Sequence, residues 1–282
     1  MSKGKERIRN SQLRYKQGLG QNFLYDDGLL ATLAQLSGVN NEEDVLEIGP
    51  GTGGLTRQLC AIAHQVRAVE LDERLIPLLS AFLEAQHNLS IVQGDILQLD
   101  LRELTADLRQ PFSVVANIPY YITTPLITRL LDAGLPLRRM ALMVQKEVAD
   151  KILAKPGDDA WCMLSVRCQY AAEPSLALDV PAACFTPVPK VDSAFVLLPM
   201  RRKPAVEAAS REDFFRVAQA GFALRRKTMA NALLAAFHLE REQALALLEA
   251  AGLDPRVRGE VLTLEELARL SDAWTAMKEQ VT

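Results

Sequence analysis

The chain has 282 residues, of which 49% are hydrophobic and 24% charged, so a disordered protein is excluded and one large domain with a smaller second one is expected. No run approaches the roughly 18 consecutive apolar residues of a membrane helix, and the basic N-terminus lacks a secretory apolar stretch, so we expect a soluble, cytoplasmic protein without a membrane partner. The net charge of −3 hides two basic blocks, because residues 1–20 hold six cations against one anion and residues 190–230 hold nine against four.

Short apolar runs alternate with helix-length segments from residue 44 to about 145, which is typical of βαβ units and a mostly parallel sheet. Helices are predicted from Gly54, from Glu73 and from Thr124 up to Gly134. The sequence thus predicts a doubly wound α/β core. The predicted strands are 44–48, 66–71, 89–93, 112–117 and 140–145.

Beyond residue 160, PSLALDV and DSAFVLLPM predict a terminal hairpin that brings the sheet to seven strands. From Arg211 onward the apolar period is helical throughout. The segment 201–210 combines charge with Pro204 and has no apolar periodicity, so the domain boundary is placed there. We therefore predict a catalytic domain of 1–205, with 1–20 as a basic extension, and a smaller all-α domain of 206–282.

A glycine-rich turn, EIGPGTGGLT, joins the first predicted strand to a helix. Glycines allow a tight turn and close approach of a ligand, and the helix start presents free N–H groups. Gly49, Gly51 and Gly54 also fit the GxGxxG dinucleotide pattern, so this turn alone does not separate NAD from other nucleoside ligands.

Two acidic residues follow the next strands at the same carboxyl edge. Glu70 ends the second strand, where its carboxylate would accept hydrogen bonds from ribose hydroxyls, and Asp95 follows the third, where it would accept from an adenine amine. Together they predict an adenosine-containing ligand. The alternative makes Asp95 a helix N-cap and Glu70 a surface acid.

The fourth strand ends in NIPY, beside the predicted nucleoside. An adenine amine is a poor nucleophile because its lone pair is delocalised into the ring. Acceptance of its hydrogens by the Asn117 side-chain oxygen and the Ile118 carbonyl would favour a tetrahedral nitrogen aimed at an electrophile. Pro119 stiffens this loop and Tyr120 offers an aromatic face to the target base. Alternatively, Asn117 caps the following helix.

Eight segments in order carry a family resemblance over nearly the whole chain. They are GQNFL (20–24), EIGPGTGGLT (47–56), VELDERL (69–75), QGDIL (93–97), NIPYYI (117–122), VQKEVADKI (144–152), FTPVPKVDSA (185–194) and FALRRKTMANAL (222–233). The chain resembles the KsgA-type 16S rRNA adenine dimethyltransferases, which are related to the Erm 23S rRNA methyltransferases. It departs from the family pattern around Trp161.

The resemblance implies a class I, Rossmann-like methyltransferase fold that binds S-adenosylmethionine (AdoMet) and releases S-adenosylhomocysteine. It also implies that Phe185 sandwiches the flipped base against Tyr120, although from the residues alone Phe185 is equally compatible with a core position. The residues implied near the cofactor are Asn22, Leu24, Gly49, Gly51, Glu70, Leu71, Asp95, Ile96 and Asn117.

The implied substrate is a pair of adjacent adenosines near the 3′ end of 16S rRNA, each dimethylated at N6 within an immature small ribosomal subunit by a monomeric enzyme. Two alternatives stay open: an Erm-like enzyme acting on 23S rRNA, and a ribosome-assembly factor acting mainly through RNA binding. The basic residues expected to contact phosphates are Lys190, Arg201, Arg202, Arg225, Arg226 and Lys227.

Overall fold

The computed structural model describes residues 22–224 and 226–281, so the basic extension 1–20 and the predicted RNA contact Arg225 lie outside the described residues. The chain forms two compact units, and it passes between them after Ala149, Ala172 and Met200. The first unit therefore contains the described residues up to 149 together with Glu173–Met200, and the second contains Asp150–Ala172 together with the residues from Arg201 onward.

A seven-stranded sheet forms the centre of the first unit. Its strands are β2 (Asp44–Ile48), β3 (Gln65–Glu70), β4 (Leu89–Gln93), β5 (Phe112–Asn117), β6 (Leu137–Gln145), β7 (Ser175–Val180) and β9 (Ser193–Pro199). Their order in the sheet is β4-β3-β2-β5-β6-β9-β7. The strands β2 to β6 are parallel to one another, whereas β9 is antiparallel to both β6 and β7, which confirms the mostly parallel sheet of seven strands.

Two further strands, β1 (Phe23–Leu24) and β8 (Phe185–Thr186), form a small antiparallel pair outside the main sheet. Central strands such as β2 are buried along their whole length, as expected of parallel strands covered on both faces. The helices that begin in this unit are α1 (Asp27–Leu36), α2 (Gly54–Ile62), α3 (Ile76–Phe82), α4 (Leu101–Leu104), α5 (Thr123–Asp132) and α6 (Lys146–Leu153), of which α6 continues into the second unit.

The third of these helices starts later than the sequence predicts, at Ile76 rather than at Glu73. Pro77 occupies its first turn, where the missing N–H costs nothing and the fixed φ favours helix entry. The residues before it form turns, with a backbone hydrogen bond from Leu75 to the carbonyl of Asp72. Leu75 in this turn is buried.

The second unit is helical, which confirms the prediction of a helical C-terminal region. Its core contains Trp161, Val166 and Tyr170 together with apolar side chains of the C-terminal helices, and the Trp161 ring lies 6.4 Å from that of Phe222. The helices that begin in this unit are α7 (Met163–Ala171), α8 (Arg211–Ala223), α9 (Met229–Phe237), α10 (Arg241–Ala250) and α11 (Leu264–Val281).

Residues 150–172 therefore differ from the prediction that assigned them to the first domain. Trp161, at which the chain departs from its family pattern, is fully buried and belongs to the core of the helical unit. Apolar periodicity gave no sign that an insertion from the middle of the chain would pack with the C-terminal helices. Within the described ranges, none of the helices combines the length and the apolar character needed to cross a membrane.

Candidate functional site

An open cleft with an empty volume of about 750 Å³ lies in the first unit, at the carboxyl ends of β2, β3 and β5. Parallel sheets bind ligands at this edge, where the chain leaves neighbouring strands in opposite directions. The residues that line it are Asn22, Phe23, Ile48, Gly49, Gly51, Val69, Glu70, Leu71, Leu75, Gly94, Ile96, Asn117, Ile118, Pro119, Tyr120, Tyr121 and Ile122.

The glycine turn lines this cleft with a backbone conformation that disfavours side chains. Gly49 and Gly51 have φ angles of 70° and 57°, in the left-handed region that favours glycine. A Cβ atom on Gly51 would lie 2.7 Å from the Cε1 atom of Phe23. Gly49 and Gly51 therefore line the cleft with main chain that carries no side chain.

Glu70 ends β3 and is held in the cleft by the main chain. One carboxylate oxygen accepts a hydrogen bond from Gly51 N at 3.1 Å and the other accepts from Asp72 N at 2.8 Å. The pKa of Glu70 is raised above its ordinary value, mainly by burial and further by the charge of Asp72, while backbone hydrogen bonds from Asp72, Gly51 and Leu71 lower it. A carboxylate has about four acceptor sites, so Glu70 keeps capacity to accept from a hydroxyl group of a ligand.

Asp95 is not among the residues that line the cleft, although its charge acts on Tyr121, so its contact with an adenine amine stays a prediction. Its side chain accepts a hydrogen bond from Leu97 N at 2.9 Å and caps the turn after β4. The alternative role as a helix N-cap is wrong, because the next helix begins at Leu101 with Asp100 as its N-cap. Its neighbours Gly94 and Ile96 line the cleft instead. Ile96 is buried, so this part of the wall offers an apolar face and main-chain atoms.

Asn117 ends β5 and is one of the residues that line the cleft. Its Nδ2 atom donates a hydrogen bond to the carbonyl oxygen of Asn22 at 3.3 Å, which fixes the rotation of the amide. The Oδ1 atom is therefore the group left to accept hydrogen bonds from a bound amine. The alternative role as a helix cap is wrong, because the residue before α5 is Ile122.

The three residues after Asn117 continue the wall of the cleft. Ile118 N donates to Met143 O at 3.2 Å, which ties this loop to β6, and Pro119 precedes a single helical turn. Tyr120 also lines the cleft, and its hydroxyl lies 2.8 Å from the Oγ atom of Ser193. The structure thus brings Asn117 and Tyr120 together at one cleft, and their roles toward a base stay predictions.

Sequence reasoning missed two aromatic residues of the cleft, Phe23 and Tyr121. The Tyr121 side chain is half exposed, and its pKa is raised by burial and by the charges of Asp95 and Glu70. The second tyrosine in NIPYYI was the signal that could have indicated it, since it directly follows the predicted base-binding residue.

Leu24 and Phe185, which were predicted at the site, lie elsewhere. They face each other in the β1–β8 pair, and both are buried in the core of the first unit. Side chains alternate across a strand, so Phe23 lines the cleft while Leu24 points into the core. Only 1% of the Phe185 surface is exposed, so its ring has no face available to stack on a base in this structure. The alternative interpretation of Phe185 as a core residue agrees with this burial.

The predicted RNA contacts fall into both units. Lys190 is exposed in the first unit, in the loop between β8 and β9. In the second unit, Arg226 and Lys227 are exposed just before α9, and the Arg201 side chain donates through Nε to Ala172 O at 3.1 Å. Arg202 is exposed next to it in that unit.

Comparison with known proteins extends these observations. The family model described as ribosomal RNA adenine dimethylase matches residues 12–271. The chain is 44% identical over 279 residues to ribosomal RNA small subunit methyltransferase A of Enterococcus faecalis, covering 96% of this chain and 94% of the relative. The corresponding protein of Shouchella clausii is 45% identical over 265 residues, covering 92% and 89% of the two chains.

Two solved structures share the fold. The 23S rRNA methyltransferase ErmE is 30% identical and superposes with a TM-score of 0.70, covering 89% of this chain and 99% of its own. A dimethyladenosine transferase from Plasmodium falciparum has a TM-score of 0.75 at 24% identity, covering 88% and 95%. At that identity the second likeness concerns the fold alone.

Proposed function

Because the chain belongs to the ribosomal RNA adenine dimethylase family, we propose that it dimethylates N6 of two adjacent adenosines near the 3′ end of 16S rRNA, in the cytoplasmic precursor of the small ribosomal subunit. The relatives at 44–45% identity are named for the small subunit, whereas the matched 23S enzyme is 30% identical. The observation that carries the chemistry is the Asn117 amide, fixed by Asn22 at the lip of the cleft.

The lining of the cleft supports AdoMet as the methyl donor. The glycine turn offers bare main chain, Glu70 keeps acceptor sites for ribose hydroxyls, and the apolar side chains of Leu71 and Ile96 suit the faces of a purine. When bound, AdoMet supplies an electrophilic methyl group on a sulfonium. Gly49 and Gly51 would lie against its methionine part and Glu70 against its ribose.

The residues of NIPY would prepare the adenine amine for this transfer. Asn117 Oδ1 and the Ile118 carbonyl accept its two hydrogens and direct the nitrogen lone pair into the cleft, while Tyr120 supports the face of the base. The methylated nitrogen is cationic and therefore acidic, so it loses its proton without a strong base. A base must leave its stack to enter, which costs a few kcal/mol and favours a single-stranded target.

The decisive experiment incubates the protein with methyl-labelled AdoMet and with undermethylated small or large ribosomal subunits, followed by mapping of the label. We expect dimethyladenosine at two adjacent positions near the 3′ end of 16S rRNA. Label in 23S rRNA would instead show an Erm-like enzyme. Tight binding to small subunits without any transfer would indicate an assembly factor.

Replacing Gly51 with alanine tests the cofactor site. The left-handed backbone costs about 1–2 kcal/mol for a residue with a Cβ, and the new atom would meet Phe23 inside the cleft. We expect AdoMet affinity, measured by calorimetry, to fall at least about tenfold. The reason is that the backbone strain at residue 51 and the displacement of the Phe23 ring both occur in the cleft. Gly252→Ala is the matched control, because φ there is 68° and no atom lies within 4 Å of the new Cβ. Equal affinities for the wild type and Gly51→Ala would contradict this cofactor site.

Replacing both Arg226 and Lys227 with alanine tests the RNA contacts of the second unit. Loss of each phosphate contact is expected to lower the slope of log affinity against log salt by roughly 0.7–0.9. Binding to a 16S rRNA fragment should weaken most at low salt. The control is Arg256→Ala, which removes a cation that is 89% exposed but paired with Asp254 at 3.3 Å. An unchanged slope in the double variant would remove these residues from the RNA interface.

A further inference from the structure

The hydroxyl of Tyr120 is joined to a residue outside the cleft. Its partner is Ser193 at 2.8 Å, the first residue of β9 and 73 positions away in the chain. Ser193 is completely buried and does not line the cleft. The contact therefore connects the segment after β5 to the antiparallel strand β9 through the phenol hydroxyl of Tyr120.

Ser193 is itself held firmly in place on both sides. It pairs with Gln145 of β6 and with Val180 of β7, so two strands fix its main chain. The preceding residue, Asp192, accepts hydrogen bonds from Ala182 N through its side chain at 2.8 Å and from Lys146 N through its carbonyl at 3.0 Å. The Oγ atom of Ser193 is thus a rigid anchor point.

The ring of Tyr120 needs such an anchor, because it starts from a short helical turn rather than from a strand. A ring fixed only at its Cα atom pivots about χ1 and χ2, whereas a ring also fixed at its hydroxyl keeps one plane. Burial raises the pKa of the Tyr120 phenol, the hydrogen bond to Ser193 lowers it, and the charge of Asp192 raises it. The net rise keeps the phenol protonated at neutral pH, so the contact joins two neutral hydroxyls.

The geometry points to Ser193 as a positioning residue for methyl transfer: its hydroxyl sets the plane of the Tyr120 ring, and that plane sets the orientation of the target adenine against Asn117. Ser193 touches neither the cofactor part of the cleft nor the base. Loss of its hydroxyl should therefore lower kcat and leave the affinity for AdoMet unchanged. This inference rests on the proposed stacking of the base on Tyr120.

A double-mutant cycle tests this role with methyl transfer to undermethylated small subunits as the readout. Ser193→Ala and Tyr120→Phe each remove one end of the same hydrogen bond. Both are expected to lower kcat about five- to tenfold, the rate equivalent of one hydrogen bond. The double variant should be no slower than either single variant, because one interaction cannot be lost twice. The KM for AdoMet should change less than about twofold, since uniform binding is untouched.

The matched control is Ser113→Ala, which also removes a completely buried hydroxyl of the sheet, bonded to Glu43 at 2.7 Å. It should lower the melting temperature and leave kcat unchanged. Unchanged kcat in either single variant, or effects that multiply in the double variant, would overturn the role of Ser193. If Ser193→Ala does not fold, Tyr120→Phe decides alone. A wild-type protein that methylates no ribosomal RNA would instead overturn the proposed function, which keeps the two failures distinct.

Discussion

Replacing Asn117 with alanine is expected to lower kcat by roughly two to three orders of magnitude, the scale seen when one preorganised polar group is removed from a reacting centre. The loss arises because the adenine amine keeps its planar, delocalised lone pair when the Oδ1 acceptor is absent. AdoMet should still bind, since Gly49, Gly51 and Glu70 remain in place. Single-turnover transfer of labelled methyl groups to undermethylated small subunits measures the effect, with calorimetry for the cofactor.

A suitable control is Asn88→Ala. Its Nδ2 atom also donates to main-chain carbonyls, those of Cys60 and Ala63 at 3.0 and 3.2 Å, but Asn88 precedes β4 and lies away from the cleft. This variant should lose stability and keep its turnover. If Asn117→Ala and Asn88→Ala turn over at the same rate, the amide does not prepare the amine, and the proposed chemistry fails.

The position of the main site residues follows from sequence because they end parallel strands. Gly49, Glu70 and Asn117 each follow a run of apolar residues, and parallel strands bring their carboxyl ends to one edge. Local pattern therefore determines both the strand and the place of its last side chain. The same reasoning predicted the antiparallel hairpin of β7 and β9 as an addition to the sheet.

The residues around β1 could not be placed in this way. Which of Phe23 and Leu24 faces the cleft depends on pairing with β8, more than 160 residues further along the chain. A two-residue strand carries too little pattern to reveal its buried face. Phe185 shows the same limit, since the alternation that turns it into the core is set by its partner strand.

Turn chemistry explains the remaining difference at the site. Asp95 follows the end of β4 by two residues, and its side chain accepts a hydrogen bond from the backbone N–H two residues ahead, that of Leu97. Glu70 is the last residue of β3 and accepts in the same way from Asp72 N, but its side chain is one methylene longer and its second oxygen also accepts from Gly51 N. Similar positions in the pattern thus gave different contacts, because the contact with Gly51 depends on how the glycine turn packs against β3.

Raising the pH from about 5 to 8 is expected to destabilise the protein through Glu47, which lies in β2 beneath the glycine turn. Its side chain is 1% exposed, and its Oε2 atom has no hydrogen-bond partner among the described residues. Burial raises the pKa of Glu47 from 4.5 to about 8, and the nearby charge of Glu70 also raises it. The folded protein therefore keeps a proton that the unfolded chain releases.

The sign of the effect follows from this difference in bound protons. The stabilising contribution of the neutral carboxyl is complete below pH 4.5 and declines as the pH rises towards the folded pKa of about 8. Each pH unit in that window lowers the free energy of unfolding by up to about 1.4 kcal/mol, so the total decrease is on the order of 3–5 kcal/mol. Glu47→Gln keeps the shape of the neutral acid and removes the titration, so it should be more stable than the wild type at pH 8.

Urea unfolding at pH 5, 6, 7 and 8 measures this difference. A residual slope is expected in Glu47→Gln, because burial also raises the pKa of Glu70. Glu43→Gln is the control: Glu43 is equally buried but is paired with Arg139 at 2.9 Å, so its loss should destabilise the protein while the slope due to Glu47 persists. Parallel pH profiles for the wild type and Glu47→Gln would show that Glu47 is ionised in the folded protein, with a partner such as bound water compensating its charge.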